Sequence, residues 1–368
     1  MNIETLSLRG FRNYADAHAE FGEGVNLLVG ENGHGKTNLL EAIVYLSTGT
    51  GFRTRKEAEL IGFGQEFAEI AATVSTRERE MELRAVLFSG RKKRELTVNG
   101  VKKRTFSDFS GNLLSVLFCP VDLQVLKTGA AARRRLLDDA LCQLSPAYSH
   151  ALAEYTRILE HKSRILKDRF EDSSLTELLP DFNERLCRFG AIIIRRRAEH
   201  VEKLRTHAPA FHREFSGEKE ALVLTYKTVS TVTDALADEQ TLYAQLRAHL
   251  ESHWQAELDS CQCLTGPHKD DLDAELNGVS LKSFGSQGQT RTAAISLKLA
   301  EREILREETG EEPVLLLDDV LSELDGRRQD FVLNRIGGGQ VFITCCETDR
   351  LADLGKTFAV ENGTIREM

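Results

Sequence analysis

A glycine-rich loop between a strand and a helix is the feature that most narrows what this chain of 368 residues can fold into. Residues 30–37 read GENGHGKT and fit the pattern G-x-x-x-x-G-K-[ST] of the phosphate-binding loop. Val25–Val29 has the composition of a buried strand, and residues 37–46 have helical spacing of apolar residues. The loop therefore lies where a strand leads into a helix N-terminus, which predicts an α/β nucleotide-binding fold.

The residue types of this loop suit a nucleotide bound with Mg²⁺. Its glycines allow successive backbone N–H groups to point inward at an anion. Lys36 is expected to reach the β and γ phosphates, where it supports catalysis, and Thr37 is expected to place its hydroxyl on Mg²⁺. The predicted nucleotide-binding residues are Gly30, Glu31, Asn32, Gly33, His34, Gly35, Lys36 and Thr37.

A second predicted part of the site is the sequence VLLLDD at residues 314–319. A continuous apolar run that ends in two carboxylates is typical of a strand covered on both faces that delivers acids to a phosphate site. Asp318 is the predicted second ligand of Mg²⁺, and Asp319 is the predicted catalytic residue that orients or deprotonates the attacking water. The alternative, two solvated acids at an ordinary strand end, is disfavoured by the phosphate loop in the same chain.

Most of the chain separates Lys36 from Asp318, so a large segment is inserted between them. Apolar residues recur at helical spacing over 133–169, over 182–204 after a break at Pro180, and over 242–258, while 221–229 alternates like a strand. We therefore predict an ATPase head with an N-terminal part at 1–125 and a C-terminal part at 263–368. A mainly helical arm domain, residues 126–262, is predicted between them.

Ser286, Gly288 and Gln289 form a further predicted set of nucleotide-binding residues, because Ser-x-Gly-Gln precedes a helical pattern. A hydroxyl, a glycine that permits close approach and unpaired N–H groups all suit a phosphate. One nucleotide does not easily need two such helix starts, unless the second comes from another subunit. In isolation, a simple helix N-cap would be the better interpretation.

Basic residues are clustered although the formal net charge is −9. Residues 84–104 hold eight Lys or Arg and one Glu, and Asn99-Gly100 predicts a hairpin turn within them. Such a ribbon would suit a DNA backbone, whereas the alternative is a solvated hairpin that protects an edge strand. Other candidates are Arg53 and Arg55, and two helical arginine runs (133–135 and 195–197) that are more often solvated faces. The predicted DNA-binding residues are Arg91, Lys92, Lys93, Arg94, Lys102, Lys103 and Arg104.

The remaining composition predicts a soluble protein of the reducing cytoplasm with no membrane partner. The seven cysteines include no C-x-x-C pair, which favours free thiols over a zinc site. No apolar run approaches the roughly 18 residues of a transmembrane helix, and MNIETLSLRG lacks a signal-peptide profile.

In this order, the phosphate loop, the helical insert, S-x-G-Q, VLLLDD and the SELD of residues 322–325 resemble the head of the SMC-like ABC-type ATPases that act on DNA. Within that group the chain resembles the RecF family of bacterial recombination mediators, whose insert is likewise short. The shared stretches span almost the whole chain. They are LRGFRNY (8–14), GENGHGKTNLLEAI (30–43), RRRLLD (133–138), GPHKDD (266–271) and GSQGQTR (285–291).

The resemblance implies a mechanism. Two heads would form an ATP-dependent homodimer in which Lys36 of one and Ser286 and Gly288 of the other hold each nucleotide. Slow, DNA-stimulated ATP hydrolysis would reopen a dimer closed on duplex DNA near single-strand gaps. With RecO and RecR, the protein would help to load the RecA recombinase.

Two positions depart from the related patterns. The RecF family usually has Pro-Glu-Asp-Leu where this chain has Pro120-Val121-Asp122-Leu123, which puts a role of Asp122 in doubt. Transporter heads often have a histidine after the strand that follows SELD, and here Thr344 is the candidate for that place.

Three alternatives stay open on the sequence. A transporter ATPase subunit would carry a shorter insert and lack the stretches at 8–14 and 133–138. Another SMC-like, DNA-organising ATPase would share the same head. A GTP-dependent switch would need a base-reading N-K-x-D motif, and the nearest stretch, HKDD at 268–271, lacks the Asn.

Overall fold

The computed structural model describes residues 1–54, 56–90, 94–346 and 352–368. Its strands are β1 (Asn2–Phe11), β2 (Tyr14–Glu20), β3 (Val25–Val29), β4 (Phe67–Ser75), β5 (Glu80–Phe88), β6 (Glu95–Val98), β7 (Val101–Lys103), β8 (Ser115–Phe118), β9 (Leu222–Lys227), β10 (Asp271–Leu276), β11 (Val279–Ser280), β12 (Val314–Leu317), β13 (Val341–Cys345), β14 (Gly355–Glu361) and β15 (Thr364–Glu367). Its α-helices are α1 (Lys36–Thr48), α2 (Ala130–Leu144), α3 (Pro146–Asp168), α4 (Leu179–Ser216), α5 (Glu239–Ser260), α6 (Leu281–Phe284), α7 (Gln287–Thr309) and α8 (Gly326–Leu333).

The chain divides into two compact units. The first unit comprises Met1–Gln124 and Arg291–Met368, and the second unit comprises Val125–Thr290. Residues 263–290 lie in the second unit, whereas the sequence-based division assigns them to the C-terminal part of the head. The physical reason is that β10 pairs with β9 of the insert, from Asp271 opposite Lys227 to Leu276 opposite Leu222. The division into a head and an arm as functional domains stays a prediction.

The first unit contains two sheets that share one hydrophobic core with α1. One sheet is antiparallel, with strand order β2-β1-β4-β5-β6-β7. The other has the order β15-β14-β3-β13-β12-β8 and is parallel from β14 to β8. Leu40 and Ile43 of α1 belong to one buried cluster with Leu6 of the first sheet and Leu316 of the second. Residues on all sides of α1 are therefore buried, which fixes the helix that begins at Lys36.

The two strands predicted around the site are present. β3 has the predicted bounds, and all four residues of β12 are fully buried between the parallel neighbours β13 and β8. The predicted hairpin is also present, because β6 and β7 pair through Asn99 (φ 50°) and Gly100 (φ 75°). Positive φ at both positions is the geometry of a type I′ turn. β7 is the last strand in its sheet.

The second unit is mainly helical, as predicted for the insert. The long pattern at 133–169 is split into α2 and α3 at Ser145, whose hydroxyl accepts a hydrogen bond from Tyr148 N. Tyr155 of α3 and Ile193 of α4 share one buried cluster, and Ile194 of α4 and Leu246 of α5 share another. Among the described residues, no helix is long and apolar enough to cross a membrane.

Arg197 is the centre of a buried polar network in the second unit. Its guanidinium donates to both carboxylate oxygens of Asp138, at 2.8 and 2.9 Å, to the carbonyl oxygen of Pro267 at 2.8 Å and to Asp270 at 3.2 Å. The Tyr226 hydroxyl also donates to Asp270. Burial raises the pKa of Asp270, and Arg197 acts against that rise. The network fastens the segment around Pro267 and Asp270 to α2 and α4.

Arg197→Ala is expected to destabilise the protein by about 3–5 kcal/mol, because removal of one partner leaves buried carboxylates without compensation. The measurement is the free energy of unfolding in urea. Arg195→Ala is the matched control, since Arg195 lies two residues away in the same helix and pairs with Glu199 at the surface. That change should cost less than about 1 kcal/mol. Equal effects of the two substitutions would contradict the role assigned to Arg197.

Candidate nucleotide site

The loop of residues 30–35 has a backbone that requires glycine. Gly33 and Gly35 have φ values of 87° and 121°, which residues with a side chain rarely adopt. A Cβ at Gly30 would lie 2.2 Å from the carbonyl oxygen of Val360, and one at Gly35 would lie 2.7 Å from Asn13 Nδ2. The conformation of the loop and its close packing therefore exclude larger residues at these positions.

The side chain of Lys36 donates hydrogen bonds back to the start of its own loop. Its ammonium donates to the carbonyl oxygens of Gly30, at 2.6 Å, and Glu31, at 3.1 Å. The Lys36 side chain is 3% exposed, whereas Glu31, Asn32 and Gly33 are exposed. A single buried positive charge is thus held at the start of α1, beside the exposed tip of the loop.

The turn between β1 and β2 supports the loop from outside. The Tyr14 hydroxyl donates to the carbonyl oxygen of Gly35 at 3.0 Å, and Asn13 Nδ2 donates to that of His34 at 2.9 Å. Asn38 of α1 in turn donates to Asn13 Oδ1 at 2.8 Å. Sequence reasoning used this stretch only as a family signature and missed its contacts with the loop.

A buried ion pair attaches the same turn to α1. Arg12 donates to Glu41 Oε2 through two nitrogens, each at 2.8 Å. Glu41 is fully buried, and its other oxygen accepts from the backbone N–H of Arg53 at 3.2 Å. Nothing in the sequence pattern predicts this pair, because both residues also fit exposed positions.

Thr37 and Asp318, the two predicted ligands of Mg²⁺, are brought together by the parallel sheet. The Thr37 hydroxyl donates to Asp318 Oδ1 at 2.8 Å. The order β3-β13-β12 places the loop after β3 and the acids after β12 at the same edge, with the end of β13 between them. Burial raises the pKa of Asp318, while the Thr37 hydrogen bond acts to lower it.

Asp319 and Thr344 form the second half of this edge. Asp319 has φ 50°, in the left-handed region, and its backbone N–H donates to Thr344 Oγ1 at 2.8 Å. The Thr344 oxygen lies 3.2 Å from Oδ1 of Asp318 and 3.2 Å from Oδ1 of Asp319. Since a hydroxyl has one hydrogen, Thr344 can donate to only one carboxylate at a time. The sequence marked Thr344 only by analogy with a histidine position.

A cleft of about 990 Å³ opens at this edge of the first unit. Its lining includes Asn32 of the loop, Asp319, Thr344 and the exposed Cys346. The Cys346 thiol lies 3.4 Å from Asn32 Oδ1. The cleft has room for a nucleotide beside Asn32 of the loop and Asp319.

The Thr37 hydroxyl and the Asp318 carboxylate are the hard oxygen ligands that Mg²⁺ prefers. The described part of the chain contains no group of three or more His, Cys, Asp or Glu that could enclose a metal. This donor set fits Mg²⁺, which usually takes only one or two protein oxygens and completes its octahedron with water and substrate phosphates.

The S-x-G-Q segment lies at the start of α7, in the second unit. Gln289 N donates to Ser286 Oγ at 3.2 Å, and Ser286 N donates to Gln289 Oε1 at 3.0 Å. This reciprocal pair is a capping box, which the spacing Ser-x-x-Gln would have predicted. Ser286 is exposed and Gly288 is partly exposed, whereas Gln289 also donates to Glu220 at 2.8 Å.

The predicted DNA-binding residues have different environments. Arg91, Lys92 and Lys93 lie outside the described residues, as does Arg55 among the alternatives. The assignment of Arg94 as a DNA contact is revised. Its guanidinium donates to Glu57, to the Tyr45 hydroxyl and to the Gly49 carbonyl, and it lies over the Phe106 ring. This charge is used within the protein. Lys102 and Arg104 are exposed, and Lys103 is partly exposed.

The helical arginine runs are largely committed to the fold of the second unit. Arg133 donates to Asp271 at 2.6 and 2.8 Å, and Arg134 donates to the carbonyl oxygen of Asp270 at 2.6 Å. Arg195 and Arg196 pair with Glu199. These arginines are therefore weaker candidates for a DNA surface than Lys102, Lys103 and Arg104 of the β6–β7 hairpin.

Comparison with known proteins identifies related chains. The family model described as RecF/RecN/SMC N terminal domain matches residues 2–365. The DNA replication and repair protein RecF of Shouchella clausii (strain KSM-K16) is 38% identical over 374 residues, which cover 100% of both chains. Two solved structures of the recombination mediator RecF in the RecFOR pathway, described as RecF-ATPrS and RecF-ATP, superpose with TM-scores of 0.91 and 0.90. Both are 34% identical, and the matches cover 100% of this chain and 98% and 97% of theirs.

Thr344→Val is expected to lower the free energy of unfolding by about 1–3 kcal/mol, because the partly buried N–H of Asp319 loses its acceptor. Thr344→Ser keeps the hydroxyl and loses only a methyl group, so its cost should be about 1 kcal/mol. The measurement is urea unfolding of the nucleotide-free protein. If serine is no better than valine at this position, the hydroxyl does not hold the two acids.

Proposed function

The chain belongs to the RecF family of the RecF/RecN/SMC ATPases, and from this we propose that it is an ATP-dependent DNA-binding protein of recombinational repair and replication. One observation carries the proposal. The hydrogen bond from Thr37 to Asp318 joins the phosphate loop to the acids of β12 in an arrangement suited to a nucleotide and Mg²⁺. A related RecF is described as a DNA replication and repair protein, which supports the proposed process. A similar structure is described as RecF-ATP, which supports ATP as the nucleotide.

The residues of the first unit divide the chemistry among them. When bound, ATP with Mg²⁺ supplies the phosphoryl group that is transferred to water. Lys36 would bind the β and γ phosphates, and Thr37 and Asp318 would hold the metal. Asp319 accepts a proton from the attacking water, and Thr344 keeps its carboxylate in place.

A dimer completes the site in this proposal. Ser286 and Gly288 of one subunit hold the nucleotide that is bound at Lys36 of the other, so ATP closes a homodimer and slow, DNA-stimulated hydrolysis reopens it. The exposure of Ser286 beside a helix N-terminus supports this role. The closed dimer binds duplex DNA near single-strand gaps and, together with RecO and RecR, helps to load the RecA recombinase. The RecFOR pathway named for the related structures supports these partners.

Sedimentation with a nonhydrolysable ATP analogue and duplex DNA tests this proposal. The unaltered protein should sediment as a dimer only when the analogue is present, and the dimer should carry DNA. Lys36→Met removes the fixed positive charge at the phosphates and should stay monomeric. If Lys36→Met still forms a dimer at ordinary ATP concentrations, the assignment of residues 30–37 as the phosphate-binding loop is wrong. If GTP raises the thermal stability more than ATP does, the assignment of ATP as the nucleotide is wrong.

Asp319→Asn and Asp318→Asn are expected to differ. Asparagine at 319 keeps the shape but cannot accept the proton, so ATP should bind and the dimer should close, while turnover falls by about 100-fold or more. Asparagine at 318 weakens the metal site and should reduce ATP binding as well as turnover. Dimer lifetime and ATP turnover of both variants are the measurements. Native turnover in Asp319→Asn would place the base elsewhere.

The DNA surface is proposed to include β7 and the residue that follows it. Alanine at Lys102, Lys103 and Arg104 should weaken binding equally for all sequences. It should also reduce the slope of log K against log salt by roughly 3, about 0.9 for each lost phosphate contact. The control replaces Arg157, Arg188 and Arg247, which are exposed arginines of the second unit, each paired with a glutamate. An unchanged slope in the hairpin variant would leave the hairpin as a solvated edge.

A further inference from the structure

Both ends of the Gln289 side-chain amide are used within the second unit. The oxygen Oε1 accepts from Ser286 N at 3.0 Å, and the nitrogen Nε2 donates to Glu220 Oε1 at 2.8 Å. The backbone N–H of Gln289 donates to Ser286 Oγ at 3.2 Å. The side chain therefore links a carboxylate to the residue that begins the S-x-G-Q segment.

Glu220 is itself held in place by a buried histidine. It lies in the connection between α4 and β9, and its Oε2 is 3.0 Å from Nε2 of His212. His212 is fully buried in the last turns of α4, and burial lowers its pKa although Glu220 acts to raise it. Nε2 of the ring is the donor in this contact, because an ionised carboxylate can only accept. Each Glu220 oxygen thus accepts from a different residue.

We propose that Gln289 is a positioning residue that does not contact nucleotide, and that Glu220, oriented by His212, sets the conformation of Ser286 and Gly288 through it. This inference rests on the proposed nucleotide-dependent dimer, in which Ser286 and Gly288 meet the ATP of the other subunit. It replaces the sequence-based assignment of Gln289 as a nucleotide ligand. It also gives the end of α4 a direct link to the segment that closes the dimer.

The polarity of the contacts provides a sharp test, because the roles of donor and acceptor can be exchanged. Gln289→Glu still accepts from Ser286 N, but it places a carboxylate 2.8 Å from Glu220, where a donor is required. Glu220→Gln leaves one oxygen for two donors, Gln289 and His212. In the double variant, the amide introduced at 220 accepts from His212 and donates to the carboxylate introduced at 289. All three hydrogen bonds are then satisfied again.

The experiment measures the dissociation constant of the dimer by sedimentation in a nonhydrolysable ATP analogue, for both single variants and the double variant. Gln289→Glu should weaken the dimer by about tenfold or more, as expected when hydrogen-bonded partners become like charges. Glu220→Gln should have an intermediate effect. The double variant should return to within about threefold of the unaltered protein, a change of less than about 0.7 kcal/mol. Binding of a fluorescent ATP analogue to the monomer should be unchanged throughout, because that site belongs to Lys36.

Two results would overturn the inference. If the double variant is as weak as Gln289→Glu, the amide of Gln289 contacts the nucleotide, since a carboxylate there would repel phosphates whatever residue 220 is. If Gln289→Glu dimerises normally, no positioning is needed. Ser286→Arg separates this inference from the function on which it rests. It should abolish the dimer while monomer ATP binding persists, and a normal dimer in Ser286→Arg would refute the shared site itself.

Discussion

The hydrogen bond between Thr37 and Asp318 depends on the order of strands in the parallel sheet, and the rest of the site depends on the same strand order. β3 and β12 come from opposite ends of the chain and are not neighbours, because β13 lies between them. Because β13 lies between them, Thr344 at the end of β13 contacts both acids. If β3 and β12 were adjacent, no middle strand could supply the hydroxyl that accepts from the backbone N–H of Asp319.

Two charged residues at this edge, Lys36 and Asp318, have polar rather than charged partners. Lys36 is buried against carbonyl oxygens, and Asp318 is buried against two hydroxyls, so neither charge has an oppositely charged residue as its main partner. Carbonyl and hydroxyl dipoles compensate a buried charge only in part, which favours a ligand that brings a full opposite charge to each. A phosphate group suits Lys36, and a divalent cation suits Asp318. The site therefore favours a nucleotide and its metal together.

Sequence patterns predicted the elements that carry the strongest periodicities. Continuous apolar runs predicted β3 and β12, and the Asn-Gly pair predicted the turn at Asn99-Gly100. The contacts of Tyr14 with the loop could not be predicted, because they join positions 21 residues apart through a hydroxyl that carries no pattern of its own. Thr344 was a candidate only by analogy with a histidine position, and its contacts with the two acids could not be predicted for the same reason. The capping box of Ser286 and Gln289 could have been predicted from spacing alone, but it looked like a phosphate motif.

The arginine runs show why local composition cannot separate a structural charge from a binding surface. Arg195, Arg196 and Arg197 are identical in sequence terms, but successive residues of a helix point about 100° apart. Arg195 and Arg196 therefore reach Glu199 at the surface, while Arg197 enters the interior between Asp138 and Asp270. Its burial is possible only because Asp138 and Asp270 arrive from distant segments of the chain. The guanidinium therefore joins α2, α4 and the segment at 267–270 through its hydrogen bonds to Asp138, Pro267 and Asp270. The same helix, α4, continues through Pro209 to His212, whose contact with Glu220 leads to Gln289 and the S-x-G-Q segment.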